Sequence, residues 1–375
     1  MAEQTKQTNQ VDAQKLDPNM TLEQTGNLGM IWMSPKEKPF RLSGFPWFEQ
    51  DQVYRRLPVQ PNYPIRPEVQ QLSKSTAGGQ IAFRTDSARL AIRVKLSGKA
   101  NMYHMPSTGQ CGFDLYFGET GDQHFYSISR YDHTKLEYEV MMYEFPQKEL
   151  RSVTLNFPLY QGVEEVEIGI DPGAEVIAPA PYANNRKVII YGTSITQGGC
   201  ATRPGMAYTN ILSRRIPMEF INEGFSGNGR GDPEVARVLS EISDPALLVL
   251  DYEANAGELD LMRKTLPEFI RIYREAHPDV PILVLSKIQF GRERFEPALL
   301  QKRMDMMQIE METVESYRRQ GDANIHFFDG TALLGTDSYY ECTVDGVHPT
   351  DLGFLRMADT LTPVLQELLG FSRQP

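Results

Sequence analysis

The sequence predicts an α/β protein in two parts, a β-sandwich followed by a parallel sheet with helices on both faces. Up to about residue 180, short runs rich in β-branched and aromatic residues recur, and Gly, Asp, Asn or Pro separate them. From about residue 185 onwards, apolar runs of strand length alternate with segments of helix length, which is typical of a parallel sheet. A chain of 375 residues is long enough for two such domains.

The N-terminal part begins with a polar stretch. Residues 1–29 are rich in Gln, Asn and Thr, and we expect a flexible tail there. Residues 30–180 form the predicted β-sandwich, because several short strands at close spacing are typical of that architecture. Asp171-Pro-Gly-Ala and the prolines after it mark its end. The predicted strands are Gln80–Thr85, Arg89–Lys95, Phe113–Phe117, His124–Ile128, Ser152–Phe157 and Val163–Ile170.

The second predicted domain spans residues 185–375. In a parallel sheet the carboxyl ends of the strands meet at one edge, and the reacting groups gather beyond that edge. The predicted strands are Lys187–Tyr191, Met218–Asn222, Ala246–Asp251, Pro281–Ser286 and Asn324–Asp329. The predicted helices are Met206–Arg215, Pro233–Ile242, Leu259–Glu275, Pro297–Arg319 and Asp351–Leu369.

The composition argues against several classes of function. The chain has 38 Lys and Arg against 49 Asp and Glu, a formal charge of −11, which argues against general nucleic-acid binding. No apolar run approaches the ~18 residues that a membrane span needs. The cysteines at 111, 200 and 342 are too few and too scattered for a disulfide scaffold or a zinc site, so we expect no bound metal.

The first candidate for chemistry is Ser194, in the segment Tyr191-Gly-Thr-Ser-Ile-Thr-Gln-Gly198. It follows a predicted buried strand and stands on a glycine-flanked turn that enters a helix. A hydroxyl there is exposed as a nucleophile, while N–H groups at the helix start can face an oxyanion. The segment differs from a G-x-S-x-G elbow, because Thr196 stands two residues after the serine. A serine that only caps the helix is the alternative.

The second candidate is the pair Asp345 and His348, in Thr343-Val-Asp-Gly-Val-His-Pro-Thr350. In a tight turn the carboxylate can reach the imidazole nitrogen that faces away from the serine, which would fix the tautomer and stabilise the imidazolium. The alternative is a turn-forming aspartate beside a surface histidine. The other five histidines, His104 among them, lack a comparable acid in a turn.

Two further loops contain candidate donors for an oxyanion. Gly227 lies in a glycine-rich loop after the second strand of the domain, where the backbone can turn its N–H groups outward. Asn255 follows the third strand and can donate from its side-chain amide. A loop glycine and a turn asparagine without any function are the alternatives.

Together, these four strand-end loops supply Ser, Gly, Asn and Asp-x-x-His in chain order. In this the sequence resembles the SGNH/GDSL hydrolase superfamily over about residues 186–369, most specifically in Gly-Thr-Ser-Ile-Thr-Gln-Gly and Asp-Gly-Val-His-Pro-Thr. The resemblance implies a flavodoxin-like three-layer α/β/α fold. The β-rich part resembles the jelly-roll-like sandwich that precedes the catalytic domain in one bacterial branch, in the segments Gly44-Phe-Pro-Trp-Phe, Arg55-Arg-Leu-Pro and Gly112-Phe-Asp-Leu-Tyr.

The resemblance also implies roles for the matching residues. Ser194 would be the nucleophile, His348 the base and Asp345 its orienting acid. The oxyanion hole would consist of the N–H groups of Ser194 and Gly227 and the amide of Asn255.

The chain departs from the family pattern at two positions. Thr193 stands where the family usually has an aspartate before the serine, and Glu253-Ala-Asn-Ala stands where it has Gly-x-Asn-Asp. The second departure makes Asn228 the nearest alternative to Asn255 as a donor.

The sequence therefore predicts a serine esterase that removes acetyl or another small acyl group from a carbohydrate, with no cofactor. An acyltransferase with the same acyl-enzyme is one alternative, and an inactive carbohydrate-binding protein is another. Residues 1–20 lack the apolar segment of a signal peptide. We expect an exported protein whose signal peptide is absent from the numbered chain, with a cytoplasmic protein as the alternative.

Overall fold

The computed structural model describes residues 16–17, 20–22 and 29–371. Most of the predicted flexible tail, residues 1–29, lies outside these residues. Antiparallel sheets form between residues 31 and 177, and a parallel sheet forms between residues 187 and 328. No helix among the described residues has the length and apolar character required to cross a membrane.

Among the described residues of the N-terminal part, ten strands form two antiparallel sheets. They are β1 (Ile31–Met33), β2 (Arg41–Ser43), β3 (Gln80–Thr85), β4 (Arg89–Leu96), β5 (Asp114–Phe117), β6 (His124–Ile128), β7 (Glu137–Glu144), β8 (Arg151–Asn156), β9 (Val163–Ile170) and β10 (Val176–Ile177). One sheet has the order β1-β9-β4-β7, and the other has the order β10-β3-β8-β5-β6 with β2 beside β3. Three short helices connect them, α1 (Phe48–Asp51), α2 (Pro67–Leu72) and α3 (Ser107–Cys111).

The two antiparallel sheets share one core, so the predicted sandwich is confirmed. Buried side chains of β3 and β5, such as Phe83 and Leu115, belong to the same apolar cluster as Ile92 of β4 and Ile168 of β9. All six predicted strands are present, with ends shifted by at most one residue. Strand β7 was not predicted, because its three glutamates have little preference for strands, although alternate residues of the strand are buried.

The second part contains the parallel sheet. Its strands are β11 (Lys187–Gly192), β12 (Glu219–Gly224), β13 (Pro245–Asp251), β14 (Ile282–Leu285) and β15 (Ile325–Phe328). Its α-helices are α4 (Ser194–Gln197), α5 (Tyr208–Arg215), α6 (Pro233–Leu239), α7 (Glu253–Ala256), α8 (Leu259–Ala276), α9 (Pro297–Arg319) and α10 (Asp351–Leu368). Short 3-10 helices lie at Pro204–Met206, Gly291–Arg294, Gly330–Ala332 and Tyr339–Glu341.

The strand order is β12-β11-β13-β14-β15 and every pair is parallel, which is the flavodoxin-like order. Alternate residues of β11 enter separate cores. Ile189 packs in a cluster with residues of α6, α8 and α9, whereas Ile190 packs in a cluster with residues of α5 and α10. The sheet therefore lies between two helical layers, and the three-layer prediction is confirmed.

A fully buried arginine joins the two parts. Arg56 of the N-terminal part donates to the carbonyl oxygens of Leu72 and Ser75 on its own side, and to those of Asn222 and Gly224 at the end of β12. Burial lowers the pKa of Arg56 to about 10, which leaves the guanidinium charged at neutral pH. The end of β12, from which the Gly227 loop departs, is thus held by a residue outside the parallel-sheet domain.

We expect Arg56→Leu to lower the free energy of unfolding by about 3–5 kcal/mol. The variant would remove the guanidinium donor from four carbonyl groups, and a buried carbonyl left with no donor costs roughly 1–3 kcal/mol. Chemical denaturation measures the change, with Arg319→Leu on the exposed face of α9 as the control. Equal stability of the two variants would show that the buried network contributes little.

Candidate active site

Ser194 is the first residue of α4, just beyond the carboxyl end of β11, the second strand in the order of the sheet. Thr193 caps this helix, with its hydroxyl accepting the N–H of Ile195 at 3.2 Å. An added Cβ at Gly192 would lie 2.0 Å from Oγ1 of Thr196, so the turn requires glycine there. The turn is therefore tight, and the Ser194 side chain stands at the strand-end edge of the sheet.

A buried acid supports this turn from below. Oδ2 of Asp251, the last residue of β13, accepts hydrogen bonds from Thr196 at 2.8 Å and Tyr208 at 2.6 Å. Burial raises the pKa of Asp251 to about 6, although both hydrogen bonds act to lower it. Asp251 thus anchors α4 through Thr196, a function that the sequence analysis did not assign.

Asp345 and His348 lie in a turn before α10. Oδ2 of Asp345 accepts from the His348 ring nitrogen Nδ1 at 2.7 Å, and Oδ1 accepts the backbone N–H groups of Val347 and His348 at 3.0 and 2.8 Å. Partial burial by itself would raise the pKa of Asp345, but these hydrogen bonds hold it below its usual range. The carboxylate is therefore ionised at neutral pH and fixes the orientation of the ring.

The structure brings these two candidates together. Nε2 of His348 lies 2.8 Å from Oγ of Ser194, across 154 positions of sequence. Ser194, His348 and Asp345 thus form one continuous hydrogen-bonded row. Ser194 is almost completely buried, whereas the other two side chains are about a quarter exposed or less.

Gly227 lies in the turn that follows β12, with a backbone φ of +67°. The N–H of Phe225 in the same loop donates to the carbonyl of Gly192, which places the loop against the turn before Ser194. In the part of the chain that the structure describes, the N–H groups of Ser194 and Gly227 donate to no protein acceptor. Both N–H groups are therefore available to a ligand.

The two candidate asparagines differ in how their side chains are bound. Asn228 is engaged, because its Oδ1 accepts from Arg66 and its Nδ2 donates to the Ser226 carbonyl, both at 3.0 Å. Asn255 lies in α7, and its buried Oδ1 has no partner among the residues that the structure describes. The Asn255 amide is thus the less constrained of the two.

Gln197, the last residue of α4, connects three parts of the site. Its Oε1 accepts the N–H of Ser226, and its Nε2 donates to the Leu159 carbonyl and to the Ser75 hydroxyl, all at 3.1–3.2 Å. The last two partners belong to the N-terminal part of the chain. The motif that contains Ser194 includes this glutamine, but sequence reasoning gave it no role.

The N-terminal part also supplies a histidine that sequence reasoning set aside. Nε2 of His104 lies 3.9 Å from Oδ2 of Asp345, and its ring packs edge-to-face against His348 with centroids 5.6 Å apart. Tyr103 stacks on His104 and is 93% exposed. No local motif indicates the contact between His104 and Asp345, because the two residues are 241 positions apart.

The loop that presents His104 is held by one buried glutamine. Oε1 of Gln110 accepts the N–H groups of Asn101 and Met102, and Nε2 donates to the carbonyls of Met102 and Met105. The same loop meets the segment after α4, where Thr108 donates to the Thr202 carbonyl at 2.6 Å. His104 is therefore a fixed part of this site.

Comparisons with known proteins agree with the fold and the motifs. Residues 185–366 match the model of the GDSL-like lipase/acylhydrolase family, and residues 30–176 match that of the N-terminus of SGNH-hydrolase-type esterases. A comparison with curated protein sequences finds no match.

Solved structures include similar chains. A Bacteroides ovatus ATCC 8483 protein described as a GDSL-like lipase is 28% identical, with a TM-score of 0.83 over 92% of this chain and 100% of its own. A salicylyl-acyltransferase from a tetracycline biosynthetic pathway is 21% identical, with a TM-score of 0.75 over 92% and 98%. An acetyl xylan esterase from Butyrivibrio proteoclasticus is 12% identical, with a TM-score of 0.58 over 91% and 100%. The last two show a shared fold. The two family models, which together match most of the chain, show that it belongs to the SGNH/GDSL hydrolase superfamily, in the branch with an N-terminal β-sandwich domain.

Proposed function

We propose that the protein is a serine esterase that removes small acyl groups, acetyl above all, from a carbohydrate. The observation that carries the proposal is the hydrogen-bonded row from Ser194 through His348 to Asp345, at the carboxyl ends of the parallel strands. This row contains a nucleophile, a base and an acid in the order that acyl transfer requires.

In the first step Oγ of Ser194 attacks the ester carbonyl carbon and His348 Nε2 takes the hydroxyl proton. Asp345 stabilises the imidazolium that forms, because its ionised carboxylate accepts from Nδ1 at 2.7 Å. The tetrahedral intermediate then collapses, the bond to the alcohol oxygen breaks, and the imidazolium returns the proton to that oxygen. The products are a free alcohol and an acyl-Ser194 ester.

The negative charge on the carbonyl oxygen needs donors that are already in place. The proposed oxyanion hole consists of the N–H groups of Ser194 and Gly227, which have no acceptor among the described residues, and the side-chain amide of Asn255. In the second step water attacks the acyl-enzyme while His348 again accepts a proton, which releases the carboxylic acid and restores Ser194.

Two observations support a carbohydrate as the alcohol component. Tyr103 presents a 93% exposed ring beside the site, and such a face suits stacking on a sugar. The acetyl xylan esterase and a family two carbohydrate esterase from Cellvibrio japonicus have a similar fold. We also propose that the protein is exported, because a polymeric substrate does not cross a membrane. Release of acetate from a panel of acetylated polysaccharides tests the substrate class.

An acyltransferase is the second candidate, because the salicylyl-acyltransferase matches this chain over most of its length. The two functions differ in the acceptor that attacks the acyl-enzyme. With p-nitrophenyl acetate and a series of added sugars and alcohols, a hydrolase yields mainly acetate at moderate acceptor concentrations. Predominant formation of an acetylated acceptor would favour the transferase.

We expect Ser194→Ala to fold normally and to lose about 10⁶ in kcat, the loss seen when a catalytic serine is removed. Hydrolysis of p-nitrophenyl acetate and labelling by a fluorophosphonate probe measure it, with Ser240→Ala after α6 as the control. Wild-type protein that is neither labelled nor active would instead support the inactive carbohydrate-binding alternative. A Ser194→Ala variant that keeps a tenth of wild-type turnover would show that Ser194 is not the nucleophile.

We expect Asn255→Ala to lower kcat by roughly 10²–10³ with little change in KM, as for the loss of one oxyanion donor. Asn228→Ala is the matched control, because the Asn228 amide is already engaged by Arg66 and Ser226. Steady-state kinetics of both variants separate the two candidates. A large kcat loss in Asn228→Ala alone would reverse the assignment.

We expect Asp345→Asn to lower kcat by up to about 10⁴, and by no more than His348→Ala does. The amide keeps an oxygen for the N–H groups of Val347 and His348 but removes the charge that stabilises the imidazolium. Kinetics with thermal melting distinguish this loss from unfolding. Full activity in Asp345→Asn beside an inactive His348→Ala would leave Asp345 a turn-forming residue.

A further inference from the structure

Three metal-binding side chains meet at the candidate active site. His104 comes from the N-terminal part, Cys200 follows α4, and His348 precedes α10. One donor atom from each lies within 4.8 Å of the other two. No zinc site was predicted from the sequence, because the three cysteines are few and scattered. The spacing of residues along the chain cannot indicate a cluster whose members come from three distant segments.

Two members of this cluster have unused donor atoms. Nδ1 of His104 is buried and has no hydrogen-bond partner within the described part of the chain. The thiol of Cys200 likewise donates to no acceptor there, whereas the thiols of Cys111 and Cys342 each meet a carbonyl oxygen. A buried polar atom without a partner is costly, and its presence is a reason to look for a missing ligand.

The backbone at Cys200 gives a separate indication. Cys200 has a φ of +74°, a left-handed conformation that residues other than glycine seldom adopt. Backbone strain of this kind is concentrated at functional sites. At Cys200 the strain accompanies a thiol held beside two imidazoles.

Asp345 occupies the position of a carboxylate that orients metal ligands. Its Oδ2 lies 2.7 Å from Nδ1 of His348 and 3.9 Å from Nε2 of His104. Both rings thus turn one nitrogen towards the same carboxylate. The other two nitrogens are Nδ1 of His104, which has no partner among the described residues, and Nε2 of His348, which is hydrogen-bonded to Oγ of Ser194. Histidine ligands of zinc commonly have such a carboxylate behind them.

We infer that His104, Cys200 and His348 form a binding site for Zn²⁺, and that bound Zn²⁺ blocks the proposed hydrolysis. Two imidazoles and one thiolate are a ligand set that suits zinc, and the Ser194 hydroxyl or water supplies the fourth ligand. Tetrahedral zinc with Zn–N of ~2.0–2.1 Å and Zn–S of ~2.3 Å places its donors closer than 4.8 Å, so the three side chains draw together on binding.

Zinc inhibits hydrolysis because the metal and the Ser194 proton require the same lone pair, that of Nε2 of His348. When Nε2 of His348 binds zinc, it cannot accept the proton of Ser194. The thiol proton of Cys200 passes to solvent as the thiolate binds the metal, and no oxidation or reduction takes place. The inhibition rests on the proposed function, whereas the binding does not.

Binding is tested with Co²⁺ as a spectroscopic substitute for zinc. We expect one Co²⁺ per wild-type chain, with a thiolate-to-cobalt charge-transfer band that Zn²⁺ abolishes. Cys200→Ser should lose the band, and Cys111→Ser, which changes a buried thiol in the sandwich core, should keep it. His104→Gln should weaken the affinity by at least about tenfold, the loss found even for groups that only orient a ligand. An unchanged cobalt spectrum in Cys200→Ser would overturn the site.

Inhibition is tested with Zn²⁺ during hydrolysis of p-nitrophenyl acetate. We expect Zn²⁺ to inhibit the wild-type protein and EDTA to restore its activity. Each variant is compared with its own activity without metal, and Cys200→Ser and His104→Gln should need at least about tenfold more Zn²⁺. Equal sensitivity of Cys200→Ser and the wild type would contradict the inference. If the cobalt band appears in a protein without esterase activity, the metal site stands and the proposed function fails.

Discussion

The position of Ser194 depends on three glycines that pack against neighbouring segments without room for a Cβ atom. An added Cβ at Gly192 would lie 2.0 Å from Thr196, at Gly224 2.2 Å from the backbone of α4, and at Gly229 1.9 Å from the Gly192 carbonyl. Atoms do not approach so closely in real structures. The contacts join the end of β11, helix α4 and the loop after β12, so the proposed nucleophile and the proposed oxyanion loop hold a fixed relation to each other.

The N-terminal sandwich completes the arrangement from outside the parallel-sheet domain. Arg56 binds the carbonyls at the end of β12, and Arg66 holds the loop that follows through Asn228 and Asp232. His104 reaches the carboxylate of Asp345 from a loop that is itself fixed. The loop after β12 and the turn that contains Asp345 and His348 therefore both contact the first half of the chain, so both parts of the chain contribute to the site.

The fold and the main site residues could be predicted because their signals are local. A stretch of ten residues is enough to recognise each of the apolar runs of β11 and β13, and each of the segments around Ser194 and His348. The roles of Arg56 and His104 could not be predicted, because the partners that link them to the second part of the chain lie more than 160 positions away. Neither residue stands in a motif that indicates a particular chemistry. The strand β7 was missed for a different reason, since burial of alternate side chains outweighs its weak local preference for a strand.

The three free cysteines give the molecule built-in reporters of local opening. Cys111 lies in the core of the sandwich, Cys200 beside the proposed catalytic groups, and Cys342 in the core on the α10 side of the parallel sheet. A buried thiol reacts with an alkylating reagent only when its surroundings open, so each cysteine reacts at a rate set by the opening of its own region. Three rates measured on the unmodified chain would therefore rank the local stability of the sandwich, the site and the helical layer without adding a label.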